Sequence, residues 1–410
     1  MSHSLAQDTN YDESKVSAYK LPDLLVANNG SQIQTNTAWK DIRRPELVAL
    51  FEQEMYGKNP VTDLEVEYKT NQLDAQTLDG KAVVKEAVVT FSNSKGALSM
   101  NVLIFLPAKA DGPAPLFLGM NFNGPHTVHP DPSISITKSY VGNSEKYGIT
   151  DHKATARSRG ASASRWAVEE ILARGYGLAT VYCGDIDPDF DDGFKNGIHQ
   201  LTEPADQERP DHSWGSIATW AWGLSRALDY FEQDPAIDHE KVIVFGHSRL
   251  GKTALWAGAH DQRFALVISN DSGCGGAALS RRRFGEKVTN INGRFPHWFC
   301  KNFHRYNDKE NELPVDQHML LALMAPRPIY VASAVEDPWA DPKGEYLSLY
   351  HASPVYKLFG MATLDSEAPP AVDTPASAGN LGYHIRSGKH DVTLYDWQQY
   401  LDFADEHLKK

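Results

Sequence analysis

The 410-residue chain has only three cysteines, Cys183, Cys274 and Cys300, and it lacks long apolar runs. An odd number of thiols leaves at least one unpaired, and these three do not show the spacing of zinc ligands. No apolar run approaches the ~18 residues that a membrane-spanning helix needs. We therefore expect no disulfide framework, no metal site and no association with a membrane.

The chain also lacks an excess of basic residues, since its formal net charge is −13. Nucleic-acid binding depends on clustered Lys and Arg side chains that neutralise phosphates. The longest basic run is Arg281–Arg283, which we expect to be a solvated helix end. With 41% hydrophobic and 23% charged residues, the composition is that of a globular protein whose partners do not include nucleic acid.

The first ten residues lack the basic segment followed by an apolar segment that marks a secretory signal. We therefore expect no signal peptide in the chain. Residues 1–40 are assigned to an N-terminal extension, and residues 41–410 to a single catalytic domain. Within residues 64–106, alternation of Val and Thr with polar residues predicts antiparallel strands, preceded by a short helix at 45–55.

Farther along the chain, buried apolar runs alternate with amphipathic segments. This alternation predicts an α/β fold with a mainly parallel central sheet and helices on both faces. Residues 276–325 and 362–388 are irregular and are predicted to be loop insertions that form binding surfaces. The predicted strands are 115–120, 176–182, 241–245, 265–269 and 327–333, and the predicted helices are 166–174, 216–232, 252–260, 344–358 and 393–408.

The stretch from Val242 to Lys252, VIVFGHSRLGK, predicts a strand, a sharp turn at Ser248 and a helix. Such an elbow presents a serine hydroxyl above the carboxyl edge of the sheet, and the following amide points to where an oxyanion would form. The usual elbow is G-x-S-x-G. Here Leu250 takes the fifth position and Gly251 follows it. The surrounding strand and helix favour a nucleophile over an ordinary turn residue, and thus an α/β-hydrolase fold.

A nucleophilic serine needs a histidine base that is oriented by a carboxylate. In this fold the chain order is Ser, acid, His, and His390 stands in a loop just before the last helix. Asp271 and Asp337 both follow predicted strands and compete for the role of the acid. Glu336 is a weaker third candidate, because alternation turns it the other way.

Two cations near the serine stand where a positive charge is electrostatically unfavourable. Arg249 and Lys252 lie in the first turn of the predicted helix, where a positive charge opposes the helix dipole. Their presence indicates an oxygen-rich or negative occupant of the neighbouring pocket. The tetrahedral intermediate of ester cleavage carries such a charge, and Arg249 can stabilise it.

The elbow resembles the G-x-S-R-x-G-K signature of glucuronoyl esterases, carbohydrate esterase family 15. Four further stretches are similar to that family, and the resemblance spans roughly residues 40–408. They are NDSGCGG from Asn270, RFPHWFC from Arg294, DPWADP from Asp337 and YHIRSGKH from Tyr383. The resemblance implies cleavage of the ester between 4-O-methyl-glucuronic acid branches of glucuronoxylan and alcohols of lignin.

The resemblance also implies residue roles. Ser248 matches the nucleophile, His390 the base and Arg249 the side chain at the oxyanion hole. Lys252 and Trp339 match residues of the sugar pocket. The loop with Arg294, His297 and Trp298 is similar to one that contributes to the sugar site in relatives, although residue identities differ.

The identity of the acid stays open at this stage. Asp271 occupies the position of the fungal-type Glu, whereas many bacterial members place an acid after the next strand, which matches Asp337. Asp is one methylene shorter than Glu, so a site shaped for Glu leaves the carboxylate of Asp271 short of the imidazole. We expect Asp337 to be the acid, with Asp271 as the alternative or as a second support for His390.

The predicted activity is that of a serine esterase on glucuronoyl esters, working through an acyl-enzyme without metal or organic cofactor. The chain is expected to be monomeric, with a carbohydrate as its partner and, by family resemblance, a secreted or periplasmic location. An acetyl-xylan or other carbohydrate acyl esterase is the closest alternative. An inactive carbohydrate-binding protein and a peptidase on the same fold are further ones.

Overall fold

A ten-stranded mixed sheet forms the centre of the protein, with the strand order β1-β2-β3-β5-β4-β6-β7-β8-β10-β9. The computed structural model describes residues 9–73, 78–204 and 207–409, so residues 1–8 of the predicted extension and 74–77 of the predicted strand region lie outside it. None of the helices in these ranges is long and apolar enough to cross a membrane. The strands are β1 (Glu65–Leu73), β2 (Ala82–Asn93), β3 (Gly96–Pro107), β4 (Ala114–Asn121), β5 (Gly177–Tyr182), β6 (Ile237–His247), β7 (Leu266–Asn270), β8 (Ile329–Ala334), β9 (Ala376–Ala378) and β10 (Leu381–Arg386).

Strand directions divide the sheet as the sequence predicts. Strands β1, β2 and β3 form an antiparallel meander, and β3 pairs antiparallel with β5. From β5 onward, β4, β6, β7, β8 and β10 pair in parallel, and β9 adds a short antiparallel edge. The carboxyl ends of the parallel strands therefore meet at one edge of the sheet, which is where such folds place ligand sites.

Helices cover both faces of the sheet. Alternate residues of each strand point to opposite faces, so Val242 and Val244 belong to one apolar cluster and Ile243 and Phe245 to the other. The first cluster packs against α6, α7, α9 and α10, and the second against α3 and α11. The helices are α1 (Asn36–Ala38), α2 (Arg44–Phe51), α3 (Val168–Ala173), α4 (Cys183–Ile186), α5 (His199–Thr202), α6 (Ser216–Phe231), α7 (Arg249–His260), α8 (Val288–Arg294), α9 (Gln317–Ala322), α10 (Pro342–Leu358) and α11 (Leu394–Leu408).

The two predicted insertions contain more regular structure than the sequence indicates. Residues 276–325 include α8 and α9, and residues 362–388 include β9 and β10. The prediction of an irregular 362–388 segment is wrong for β10, because polar residues interrupt its apolar pattern while tertiary contacts satisfy them. His384 and Arg386, both buried, hydrogen-bond to the carboxylate of Asp396.

The prediction that the basic run 281–283 is a solvated helix end is wrong for Arg281 and Arg282, whereas Arg283 is exposed. The Arg281 side chain is buried and pairs with Asp316 at 3.1 Å, and that of Arg282 is buried and pairs with Asp341 at 2.8 Å. Partner carboxylates from distant parts of the chain offset the cost of burying each guanidinium. A pattern confined to three adjacent residues cannot reveal those partners.

The segment before residue 41 contributes to the core. Leu24, Ile33 and Trp39 are buried against the larger apolar cluster. The division into an N-terminal extension and a catalytic domain stays a prediction. The three cysteines, all within the described residues, are free and buried.

We expect Gly246→Ala to destabilise the protein by about 3 kcal/mol or more, because it overpacks the turn between β6 and α7. A Cβ atom at this position would lie 1.8 Å from the carbonyl oxygen of Leu250, a backbone atom at the start of α7. The matched control is Gly112→Ala, since nothing lies within 4 Å of a Cβ built at Gly112. Urea unfolding of both variants tests this; equal stabilities would contradict the packing at the turn.

Candidate active site

Ser248 lies at the turn between β6 and α7 in a strained backbone conformation. Its φ of 58° and ψ of −128° are unusual for a residue with a side chain. The amide of Ser248 donates to the carbonyl of Asn270 at 2.9 Å, which fixes the turn against the end of β7. Gly251 packs against Ser272. A Cβ atom added to Gly251 would lie only 3.0 Å from the Cβ atom of Ser272. Gly251, which stands one position later than the second glycine of the usual elbow, therefore allows α7 to approach the neighbouring strand closely.

His390 and Asp337 form a direct pair. Nδ1 of His390 lies 2.6 Å from Oδ2 of Asp337, and the imidazole is 40% exposed whereas the carboxylate is 9% exposed. Asp337 follows β8 and His390 follows β10, and these strands are parallel neighbours. The expected acid and base thus meet because their strands end at the same edge of the sheet.

Asp271 lies beside this pair. Its carboxylate is buried, and within the described part of the chain neither oxygen has a hydrogen-bond donor. Nη2 of Arg386 lies 3.7 Å from one of its oxygens. Burial, together with the negative charges of Glu345 and Asp337, raises the pKa of Asp271 well above its ordinary value. The structure therefore favours Asp337 over Asp271 as the hydrogen-bond partner of the base.

Arg386 holds the loop that carries His390. Its Nη2 atom donates to the carbonyls of Lys389 at 3.0 Å and of Asp391 at 2.5 Å. Its Nε atom donates to Asp396, whose own pKa lies below the ordinary value because hydrogen bonds and cations outweigh its burial. The guanidinium thus connects the base, the buried Asp396 and the neighbouring Asp271.

A second histidine packs against the base. The ring centres of His247 and His390 are 4.4 Å apart, and Nδ1 of His247 hydrogen-bonds to the side chain of Asn270 at 2.6 Å. Burial and the adjacent His390 lower the pKa of His247 well below its ordinary value. His247 therefore contributes an uncharged ring that packs against His390 and is hydrogen-bonded to Asn270.

Arg249 pairs with an acid that the sequence does not single out. Its guanidinium contacts the carboxylate of Asp189 and lies 4.9 Å from the ring centre of Trp298. Oδ1 of Asp189 also accepts from Trp298 Nε1 at 2.7 Å and lies 2.9 Å from His297 Nε2. Burial raises the pKa of Asp189, but these hydrogen bonds and the Arg249 charge outweigh it and hold the pKa at about 2. His297 and Trp298 thus fix Arg249 through a shared carboxylate.

Lys252 is buried one turn into α7. Its Nζ atom donates to the carbonyl of Ser272 at 2.5 Å and lies 5.9 Å from the ring centre of Trp298. Burial lowers its pKa, although the nearby carboxyl of Glu286 acts in the opposite direction. The lysine therefore contacts the turn after Asp271 and faces the same cavity as Glu286.

Trp339 and Arg294 also line that cavity. The guanidinium of Arg294 is 5.5 Å from the ring centre of Trp339, whose side chain also hydrogen-bonds to Glu286. Burial raises the pKa of Glu286, opposed by Lys252 and Arg294. Sequence analysis does not identify Glu286, because a lone acid in a loop gives no signal.

Two cavities open beside Ser248 and His390. One, of about 330 Å³, is lined by charged and aromatic residues that include every sugar-pocket candidate except His297. The other, of about 370 Å³, has an aromatic wall formed by Phe122, Tyr140, Tyr147 and Tyr182, and it is also lined by the charged residues Arg165 and Asp189. Ser248, Arg249 and His390 line both cavities. Ser248 therefore lies where the two cavities meet.

One group of possible metal ligands occurs among the described residues. Oxygen and nitrogen atoms of Asp271, Asp337 and His390 lie within 4.8 Å of one another. The short hydrogen bond between His390 and Asp337 already uses two of these groups, and it is the arrangement that a proton-transfer base requires. The geometry favours acid–base chemistry at this cluster.

Asp189 is the main functional residue that sequence analysis misses. It stands in the stretch after β5, close to the carboxyl edge of the sheet where Ser248 also lies. An acid shortly after a buried strand is the same signal that identifies Asp271 and Asp337. Asp185 and Asp187 stand in the same stretch, so the sequence does not show which of these acids reaches the site.

The chain is similar to known esterases over most of its length. The family model described as glucuronyl esterase, fungi, matches residues 209–360. The protein named carbohydrate esterase MZ0003, from an unknown prokaryotic organism, is 52% identical over 400 residues, with 97% of this chain and 92% of that protein covered.

Solved structures extend this similarity to the whole fold. A promiscuous family 15 carbohydrate esterase from a marine bacterial metagenome has a TM-score of 0.91 at 52% identity, covering 98% of this chain and 100% of the other. A glucuronoyl esterase from Solibacter usitatus has a TM-score of 0.90 at 48% identity, with 97% and 100% covered. These matches confirm the predicted α/β-hydrolase fold and the resemblance based on the elbow. The chain therefore belongs to carbohydrate esterase family 15, the glucuronoyl esterases, and is a carboxylic ester hydrolase.

Proposed function

We propose that the enzyme hydrolyses the ester between (4-O-methyl-)glucuronic acid of glucuronoxylan and alcohols of lignin, through a Ser-His-Asp triad. The observation that carries this proposal is the position of Ser248 between a charged cavity and an aromatic one. The relatives named 4-O-methyl-glucuronoyl methylesterase support the same substrate class.

The triad proposed is Ser248, His390 and Asp337. His390 takes the proton of Ser248 as the serine oxygen attacks the uronoyl carbonyl, and Asp337 holds the imidazole through Nδ1. The same proton passes to the departing alcohol when the tetrahedral intermediate collapses. Water then attacks the acyl-enzyme and gives a proton to His390, which passes this proton to Oγ of Ser248 as the uronic acid is released.

The developing oxyanion is stabilised at the start of α7. The first amides of a helix have no intrahelical acceptor, so the Arg249 N–H is available to the intermediate. The guanidinium of Arg249 adds positive charge at the same position, held by Asp189. Because Asp189 stays ionised at any working pH, the position of Arg249 does not depend on pH.

The two cavities suit the two parts of the substrate. In the charged cavity, Lys252, Glu286 and Arg294 supply donors and acceptors for sugar hydroxyls, and Trp339 supplies a flat face for the ring. The aromatic wall of the second cavity, with Phe122, Tyr140 and Tyr147, suits an aryl alcohol as leaving group. The acyl group is accordingly placed on the Lys252 side and the alcohol on the Tyr140 side.

A broader carbohydrate esterase is the second candidate. A solved relative of 52% identity is described as promiscuous, which favours activity on simpler esters beside the uronoyl ones. Acetate release from acetylated xylan, compared with glucuronate release from its benzyl ester, distinguishes the two functions. A polymeric substrate of the plant cell wall also favours a secreted or periplasmic enzyme that acts as a monomer.

We expect Ser248→Ala to lower kcat for the benzyl ester of glucuronic acid by a factor on the order of 10⁴ or more, because no nucleophile remains. Binding of free glucuronate, measured by calorimetry, should persist, since the sugar contacts are unchanged. Turnover equal to that of the parent enzyme would contradict the assignment of the nucleophile.

We expect Asp337→Asn to lower kcat by roughly 10³ to 10⁴, because an amide cannot stabilise the protonated imidazole as a carboxylate does. Asp271→Asn is the matched control and should keep kcat within about tenfold. Steady-state rates on the same ester decide between the two acids. A large loss in Asp271→Asn alone would identify Asp271 as the acid.

We expect Arg249→Met to lower kcat by about a hundredfold, equivalent to about 3 kcal/mol, with little change in KM, because the guanidinium acts on the intermediate. Arg263→Met is the control, since Arg263 pairs with Asp229 and Asp261 away from the site. A raised KM at constant kcat would instead assign Arg249 to substrate binding.

A further inference from the structure

The ring of His247 forms part of the wall of the aromatic cavity. His247 stands directly before Ser248, at the end of β6, and it lines this cavity together with Ser248 and His390. The two imidazole rings lie 4.4 Å apart, with an angle of 41° between their planes. This is the cavity that the proposed function assigns to the alcohol. A polar atom that His247 presents here is therefore close to the space in which the alcohol leaves and water enters.

The side chain of Asn270 determines which nitrogen of this ring carries the proton. Nδ2 of Asn270 donates to Oδ1 of Asp396 at 3.2 Å and to the hydroxyl of Tyr400 at 2.8 Å. Asp396 is ionised and also accepts from Arg386, so the atom of Asn270 that faces it is the amide nitrogen, which can donate. The amide oxygen of Asn270 then faces His247, where it lies 2.6 Å from Nδ1.

This arrangement leaves the other ring nitrogen, Nε2, as an acceptor. An amide oxygen can only accept, so Nδ1 of His247 donates and carries the proton. The ring is neutral, because it is buried without a carboxylate partner among the described residues, and the charges of His390, Arg165 and Arg386 that act on it are positive. Nε2 has no protein donor in the described part of the chain and is not one of its fully buried polar atoms. Its lone pair therefore faces the cavity.

An acceptor in this place distinguishes the two half-reactions of an acyl-enzyme. In acylation, the oxygen beside His390 belongs to the leaving alcohol and carries a carbon substituent. In deacylation, the same position holds water, which carries a hydrogen atom where the alcohol carries carbon. Water can therefore donate one hydrogen to His390 and the other to a second acceptor, whereas an alcohol can donate only to His390.

We propose that Nε2 of His247 accepts a hydrogen bond from the hydrolytic water and so directs the water oxygen at the acyl carbon on Ser248. This inference rests on the acyl-enzyme of the proposed function. The water gives one proton to His390 as its oxygen bonds to the acyl carbon. The bond from that carbon to Oγ of Ser248 then breaks, and His390 returns the proton to Oγ. The second hydrogen of the water stays on the new carboxyl group, which then ionises. His247 thereby favours water over alcohols as the second nucleophile.

The test is the competition between methanol and water for the acyl-enzyme. The parent enzyme and His247→Phe receive the benzyl ester of glucuronic acid at several methanol concentrations, and the initial rates of formation of methyl glucuronate and glucuronic acid are measured. Phenylalanine fills the space of the ring but has no lone pair. We expect the ratio of methyl ester to acid to rise about fivefold in His247→Phe, the size expected for the loss of one neutral hydrogen bond in the transition state. The ratio does not depend on the amount of folded enzyme or on the rate of acylation, so reduced stability alone cannot change it.

His247→Gln is the conservative comparison. Its amide can turn the NH2 group to Asn270 and the carbonyl oxygen to the cavity, which restores an acceptor. We expect its ratio of methyl ester to acid to stay within about twofold of the parent value. Acid quenching during steady-state turnover gives a second readout. His247→Phe should hold a larger fraction of glucuronoyl adduct on Ser248 than the parent enzyme, because deacylation slows while acylation does not.

His351→Phe is the matched control. Burial also lowers the pKa of His351, but this residue lies on α10 and lines neither cavity beside Ser248. Its substitution should leave the ratio at the parent value. A ratio for His247→Phe equal to that of the parent, or a ratio for His247→Gln as high as that of His247→Phe, would overturn the role of His247 even if the esterase activity is as proposed. A parent enzyme that forms neither methyl ester nor a glucuronoyl adduct would overturn the acyl-enzyme itself, and this inference with it.

Discussion

The left-handed backbone at Ser248 is the constraint on which the site depends. It lets a buried strand end and a helix begin within one residue, which is the turn that presents a serine hydroxyl next to the first amides of a helix. Gly246 permits the turn, because a Cβ atom there would overlap the backbone of Leu250. Packing of α7 against the end of β7, through Gly251 and Ser272, keeps Ser248 in this strained conformation.

Burial affects the ionisation of the groups around Ser248 as much as ion pairs and hydrogen bonds do. Asp189 is kept ionised by three donors and holds Arg249, whereas Asp271 and Glu345 are buried with raised pKa values. Only Asp337 among the carboxylates at the end of β8 contacts the base. Arg249 thus lies on one side of Ser248 and the carboxylate of Asp337 lies behind His390. In the proposed mechanism this is the distribution of charge that ester cleavage requires.

Local sequence patterns were sufficient for the strands up to β8 and for the strand-turn-helix at Ser248, because alternation, helix periodicity and turn residues are properties of neighbours in the chain. They could not reveal buried polar and charged residues whose partners lie far away in the sequence. The burial of Arg281, the polar strand β10 and the contact of Asp189 with Arg249 all depend on partners at least 10 residues away.

The central claim is that Ser248 carries the uronoyl group during turnover. The most direct measurement is acid quenching of the enzyme during the first turnover of the benzyl ester of glucuronic acid, followed by mass spectrometry of its peptides. We expect a glucuronoyl adduct on the peptide that contains Ser248. An adduct on another residue, or release of benzyl alcohol in the first turnover with no adduct on the protein, would contradict it.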